Sequence, residues 1–246
     1  MHKLNSVFWD LDGTIADTEL DGHRIAFNKA FKEYGLDWTW DLNLYPRLLT
    51  ITGGKNRIKY YSGSTNIHLN DKQIGQVHAI KQRYYSELVE NRIIKFRHGV
   101  KRLITELSSN NIKQYIVTTS SQSAVIAIIN SEYSRKKIPF TGWITGDDVS
   151  RLKPHPEAYI KATKTFKCNP DNVLVIEDSL PGYLSARSAK LNCLITLTSW
   201  WQGSIDDFGE ALAIVSNLGE DNNHANIIKG KPLQNGKINL DYLSLM

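Results

Sequence analysis

Short apolar runs alternate along the chain with stretches in which apolar residues recur every three or four positions. That alternation predicts strands and helices in turn. Ser6-Val7-Phe8-Trp9 is the first run, and a strand is expected over about residues 5–10. Val100, Leu103, Ile104 and Leu107 stand at i, i+3, i+4 and i+7 and predict a helix, with a strand following near 113–118. A short strand near 142–145 precedes a helix from about 156 to 166, opened by Pro156, whose fixed φ suits a first helical turn. A strand over 173–177, a helix near 181–191 and strands near 193–197 and 212–215 complete the series. The pattern predicts an α/β fold, a parallel sheet covered on both faces.

Residues 18–96 break the alternation. Phe27, Ala30, Phe31 and Tyr34 mark one amphipathic helix, and Ile74, Val77, Tyr84, Tyr85 and Leu88 mark another, with Asp71 as its candidate cap. No convincing strand lies between them. The expected organisation is a discontinuous core, residues 1–17 and 97–246, carrying an inserted helical cap over 18–96, with hinges near 16–19 and 92–98. The polar tail from about 217 ends in Ile238-Asn239-Leu240-Asp241-Tyr242-Leu243 and is expected to add a turn and a strand to the core.

Composition narrows the class. The 246 residues suffice for one large domain or two small ones, and 41% apolar content is that of an ordinary globular protein. No run approaches the roughly 18 apolar residues of a membrane span, and no cleavable leader is visible. Two cysteines, Cys168 and Cys193, are too few for a disulfide framework. A cytoplasmic protein without membrane or nucleic-acid partners, and a monomer, is expected. The net charge of +5 is scattered. Arg135-Lys136-Lys137 reads as a solvated turn, since nucleic-acid binding would want a basic stripe interleaved with aromatics.

The chemistry begins where the first strand runs out. Asp10-Leu11-Asp12-Gly13-Thr14 sets two carboxylates two residues apart, on one face if the strand continued, with Gly13 permitting the bend that lets both converge on one ligand. One carboxylate can attack phosphorus while the other donates and accepts the proton. Three partners follow, each at the end of its own predicted strand: Thr118 after Gln114–Val117, Lys153 before Pro154, and Glu177-Asp178 after Val173–Ile176. Ligands in open α/β sheets bind at the carboxyl ends of strands. A hydroxyl, an ammonium and four carboxylates collected there make a site for phosphate and a hard divalent cation such as Mg²⁺.

These four motifs resemble those of the haloacid-dehalogenase-like superfamily, over nearly the whole chain. The finer resemblance is to CbbY-type phosphatases, which dephosphorylate xylulose-1,5-bisphosphate, an inhibitor of Rubisco. It is carried by Asp17-Thr18-Glu19-Leu20-Asp21-Gly22-His23-Arg24, by the segment from Trp40 to Tyr45, and by Thr52-Gly53-Gly54-Lys55-Asn56-Arg57-Ile58. The resemblance implies a Rossmann-like core with a helical cap, Asp10 as nucleophile, and Asp12 as acid and base. It implies Mg²⁺ held by Asp10, the Asp12 backbone carbonyl, Asp178 and Glu177, the last directly or through water. Thr118, Lys153, Thr119 and Ser120 would bind phosphoryl oxygens. Asp12 argues against halide chemistry, because halide leaves without protonation.

A bisphosphate needs a second anion site. Thr52, Gly53 and Gly54 let backbone approach a ligand, and Lys55 and Arg57, with Arg47 in reserve, are the expected clamp on the distal phosphate. Glu19 and His23 are expected to contact sugar hydroxyls. The alternative activity is a β-phosphoglucomutase-like isomerase sharing the same core motifs.

Overall fold

The computed structural model describes residues 4–51, 53–91, 93–133 and 138–245. Thr52 and the cluster Arg135-Lys136-Lys137 lie outside the described residues. The chain divides into two compact units, one of residues 1–17 and 96–246 and the other of Thr18–Lys95.

The first unit is a sheet with helices. Its strands are β1 (Ser6–Trp9), β2 (Lys113–Val117), β3 (Gly142–Ile144), β4 (Val173–Glu177), β5 (Asn192–Thr196), β6 (Ala213–Val215) and β7 (Ile227–Lys229). Among the described residues they form one seven-stranded sheet in the order β3-β2-β1-β4-β5-β6-β7. All neighbours are parallel except β6 and β7, which pair antiparallel, so the sheet is mixed rather than wholly parallel. The strand order reverses at β1, with β2 on one side and β4 on the other. Connections leaving β1 in both directions open a crevice at its carboxyl end.

Alternation along β1 decides what lies beneath that crevice. Phe8 joins Tyr115, Val117, Val173 and Val175 in one buried cluster with Ala158, Tyr159 and Ala162. Those last three residues are the buried stripe of the helix Glu157–Thr165. Val7 and Trp9 point the other way. There Trp9 Nε1 donates to Gln114 Oε1 at 3.1 Å, and Gln114 Nε2 donates to Ile104 O and Ser108 Oγ in the helix Val100–Ser109. A buried amide is tolerated here because both its ends are paired.

The helix Gln122–Glu132 is absent from the apolar periodicities above; Ser121 caps it, its side chain accepting from Ala124 N. The tail adds the expected strand to the core as β7, which pairs antiparallel with β6, and it also carries a short helix, Leu240–Ser244, that was not expected. Asn239 begins that helix by taking Tyr242 N onto its side chain.

The second unit is helical: a π-turn Glu19–His23, then Arg24–Tyr34, Leu44–Leu48, Gly54–Gly63 and Asp71–Glu90. No strand occurs in it among the described residues. Phe27, Phe31, Trp38, Trp40 and Tyr45 form its core with Ile58, Ile74 and Val77. The last helix is capped by Asn70, not Asp71. Asn70 accepts from Gln73 N while the Gln73 side chain accepts from Asn70 N, a reciprocal box that leaves Asp71 as the first helical residue. Among the described residues no helix is long and apolar enough to cross a membrane.

Candidate active site

Asp10 is the residue at which β1 gives way to loop. Its backbone N–H still bonds Ile176 O at 3.0 Å, extending the ladder with β4 by one step. Gly13, at φ 85°, then turns the chain, and Gly13 N donates to Ala16 O. A Cβ on Gly13 would stand 2.1 Å from Asp178 Oδ2, so glycine is required here for space as well as conformation.

The return of the chain into the core completes the loop's frame. Phe96 bridges Ala16, and Arg97 N donates to Ile15 O. The Arg97 guanidinium donates to the carbonyls of Gly13, Thr196, Leu197 and Ser216. No periodicity or motif in the sequence singles this arginine out.

Parity places the acids. Val173, Val175 and Glu177 alternate onto the Phe8 face, and Asp10 shares it. Carboxylate oxygens of Asp10, Glu177 and Asp178 all lie within 4.8 Å of one another, and all three residues are buried. Lys153 enters from the turn before the helix Glu157–Thr165, a turn held by Ser185 Oγ donating to His155 O. Its ammonium donates to Asp10 Oδ1 at 2.6 Å, Glu177 Oε1 at 2.5 Å and Val117 O at 2.9 Å. An ammonium has three protons, so each is committed.

Asp12 lies half-buried and accepts from Ser120 Oγ at 2.5 Å. Thr118 is buried, and its hydroxyl accepts from Ser120 N. Thr119 is exposed, and its carbonyl closes over Gly146, where a Cβ would meet it at 2.3 Å. The structure thus gathers Asp10, Asp12, Thr118, Ser120, Lys153, Glu177 and Asp178 at one end of the sheet.

The charge balance is unfavourable to the acids as they stand. Burial, then the nearness of Glu177, raises the Asp10 carboxyl to about 8, against the opposing pull of Lys153. Burial and the charges of Asp10 and Glu177 raise Asp178 as well. Burial works against the Lys153 charge, but the two flanking carboxylates win and hold it above the ordinary lysine value. Three buried carboxylates around one ammonium leave surplus negative charge on hard oxygens. That donor set fits a hard divalent cation.

A pH dependence follows. An acid raised in the folded state lends stability that is fully present below its unfolded value, near 3.8, and lost as pH rises through about 8. The metal-free protein is expected to melt at progressively lower temperature from pH 5 to pH 9. Added Mg²⁺ should recover the loss, and its stabilisation should be larger at pH 8.5 than at pH 5.5. Thermal melts with EDTA and with Mg²⁺ check this; equal metal stabilisation at both pH values would show that these acids do not bear the charge.

The second unit holds the other sequence-named residues. Arg57 is buried, and its guanidinium donates to Leu48 O, Tyr45 Oη and Ile51 O, with Glu19 Oε2 at 3.8 Å. Tyr45 Oη in turn donates to Glu19 Oε2 at 2.7 Å. Arg57 is thereby spent largely on the unit's own oxygens, and Glu19 is held in place by Tyr45, the last residue of the Trp40–Tyr45 segment. Lys55 and Arg47 are exposed. Gly53, at φ 90°, precedes the helix Gly54–Gly63, and a Cβ on Gly54 would meet His78 Nε2 at 3.0 Å. His23 stacks on Tyr85 with ring centroids 4.1 Å apart, and Lys81 Nζ lies 2.7 Å from its Nδ1.

Comparison with known proteins agrees with this geometry. The family model for haloacid dehalogenase-like hydrolases matches residues 7–196. Protein CbbY of Rhodobacter capsulatus is 33% identical over 210 residues, covering 85% of this chain and 91% of that protein. A CBBY-like protein of Arabidopsis thaliana is 32% identical over 224 residues, 88% of this chain and 70% of the relative. Among solved structures, a mutant of CbbY from Rhodobacter sphaeroides in complex with xylulose-(1,5)bisphosphate superposes with a TM-score of 0.77 at 30% identity, covering 87% of this chain and 94% of that one. With the family model spanning β1 to β5 and relatives above 30% identity over most of both chains, the chain belongs to the haloacid dehalogenase-like hydrolases.

Proposed function

We propose that this hydrolase is a Mg²⁺-dependent phosphatase of sugar bisphosphates, acting through a phosphoryl-Asp10 intermediate, with xylulose-1,5-bisphosphate as its substrate. The observation that carries the reading is the buried Asp10, salt-bridged to Lys153 at 2.6 Å with Asp12 two residues on. The solved relative that binds this bisphosphate supports the choice of substrate.

Asp10 supplies the attacking oxygen. Lys153 neutralises part of its charge, and because the ammonium's protons are all placed, it acts mainly as a fixed cation beside the nucleophile. Thr118 offers its hydroxyl proton to a phosphoryl oxygen, while the Ser120 hydroxyl donates to Asp12 and orients it. Asp12 gives a proton to the departing sugar oxygen and later takes one from water as the intermediate is hydrolysed. Asp10, Asp178 and the Asp12 carbonyl would hold the cation, with Glu177 beside them. The bound cation supplies charge that offsets repulsion between the acids and a phosphoryl group.

Phosphate release measured over pentose bisphosphates and hexose phosphates tests the substrate. Xylulose-1,5-bisphosphate should give the highest kcat/KM; faster isomerisation of glucose 1-phosphate would overturn the assignment. Lys55→Ala refines it. Lys55 is exposed while Arg57 is internally paired, so Lys55 is the better candidate for the distal-phosphate clamp. Its loss should lower efficiency on the bisphosphate by about 1.5–3 kcal/mol. Hydrolysis of p-nitrophenyl phosphate, which has no distal group, should be unaffected. Equal losses on both substrates would assign Lys55 a structural role in the first turn of the helix Gly54–Gly63.

A further inference from the structure

We infer that Tyr159 is a positioning residue that dedicates Glu177 to Lys153 and so keeps that carboxylate out of direct contact with a bound metal. The inference deepens the phosphatase reading and rests on it for its kinetic half.

Tyr159 is fully buried on the helix Glu157–Thr165, its ring stacked parallel to Phe8 with centroids 6.5 Å apart. Its position belongs to the apolar stripe of that helix, and a hydroxyl is costly there unless it finds a partner. It finds one in Glu177 Oε1, to which it donates at 2.7 Å. The same oxygen accepts from Lys153 Nζ at 2.5 Å. The tyrosine ring also lies beneath the ammonium, with Nζ 5.1 Å from the ring centroid. One side chain therefore touches both members of the Glu177–Lys153 pair.

The other oxygen of Glu177 is engaged too. Oε2 accepts from Asp178 N at 3.3 Å and from Ser179 Oγ at 3.4 Å. A carboxylate offers about four acceptor directions, and these donors use them. Its freedom to turn is also restricted. A Cβ on Gly182 would lie 2.0 Å from Oε2 and 2.1 Å from Oε1, so the group rests directly on the first turn of the helix Leu180–Ser188. Asp178 contrasts with it. Its carboxylate accepts one side-chain hydrogen bond among the described residues, a long one at 3.5 Å from Thr14 Oγ1. Of the adjacent acids, Asp178 has oxygen to spare for a cation, and Glu177 has its oxygens filled by donors that fix the lysine beside Asp10.

Three variants of the full chain separate the roles: Tyr159→Phe, Glu177→Gln and Asp178→Asn. Mg²⁺ binding is measured by calorimetry without substrate, and kcat and KM with p-nitrophenyl phosphate. Asp178→Asn should weaken Mg²⁺ at least about thirtyfold, while Glu177→Gln should leave its dissociation constant within about threefold and still cut kcat a hundredfold or more. Tyr159→Phe keeps the ring and loses one hydrogen bond to a charged group, so kcat should fall about tenfold with KM and Mg²⁺ affinity unchanged. If Glu177→Gln weakens Mg²⁺ as much as Asp178→Asn does, Glu177 is a metal ligand and the inference fails. If Tyr159→Phe lowers the melting temperature but not kcat, the hydroxyl serves only the fold. Absence of hydrolysis by the unmodified protein would instead sink the phosphatase reading, and calorimetry would still decide the role of Glu177.

Discussion

Asp10→Asn should abolish turnover while leaving the protein folded. Asparagine matches the shape of the carboxylate, and its Oδ1 can still accept the Lys153 proton now held at 2.6 Å. It cannot become a phosphoryl donor. Steady-state phosphate release should fall below about 1% of the unmodified rate, since loss of covalent catalysis should exceed the roughly 10²–10⁴ of a single acid–base group. The fold should tolerate the change for a reason internal to the site. Burial and Glu177 already favour the uncharged form of Asp10, raising it to about 8, so a neutral amide relieves repulsion instead of adding a defect. The metal-free variant should melt at or above the temperature of the unmodified protein at pH 8. Activity above 1% in the folded variant would remove Asp10 from the role of nucleophile, and collapse of the melting transition would overturn the argument that a neutral group is tolerated there.

Asp12→Ala should separate substrates by the basicity of their leaving groups. A sugar alkoxide departs only as it is protonated, whereas p-nitrophenolate departs unaided. In single-turnover measurements, phosphorylation of Asp10 by a sugar ester should slow by about 10²–10⁴, and phosphorylation by p-nitrophenyl phosphate much less. Hydrolysis of the intermediate should be slowed equally whichever substrate formed it, because the same water must be deprotonated. The position of Asp12, half-buried and 2.5 Å from Ser120 Oγ, suits a group that must reach both a leaving oxygen and a water. Equal slowing of phosphorylation with the two substrates would mean that Asp12 is not the general acid.

The parts of this site that were legible in the sequence share one property: each ends an apolar run. Asp10 after Ser6–Trp9, Thr118 after β2 and Glu177-Asp178 after Val173 are found by counting alternation, because a period of two and a strand terminus together fix where a side chain emerges. Lys153 is the exception: a strand of its own was expected before it, but it lies in the turn ahead of the helix Glu157–Thr165, and it was legible only through its company. Tyr159 was not legible as a functional residue. In the sequence it is one more large residue on an amphipathic helix, and only packing shows its hydroxyl meeting Glu177. Arg57 shows the converse. A cation after paired glycines reads as an anion clamp, but its guanidinium turns inward to Leu48, Ile51 and Tyr45. Composition states that a residue is charged and not what it has already spent that charge on. Asn70 and Asp71 differ by less: both types cap helices, and Gln73 decides between them.

The paired stem formed by Ala16 with Phe96, and by Ile15 with Arg97, has a topological consequence. The two strands of chain that leave and re-enter the core are already joined side by side before the helical unit begins. Whatever lies between them is, to the core, a loop whose ends are closed. The entropy of closing such a loop rises only with the logarithm of its length, by about 0.6 kcal/mol per doubling. The stem therefore acts as a socket. By this measure, helical inserts of different length between Asp17 and Phe96 would each change the stability of the sheet little, while Arg97 keeps its hold on the Gly13 carbonyl at the bend after Asp12.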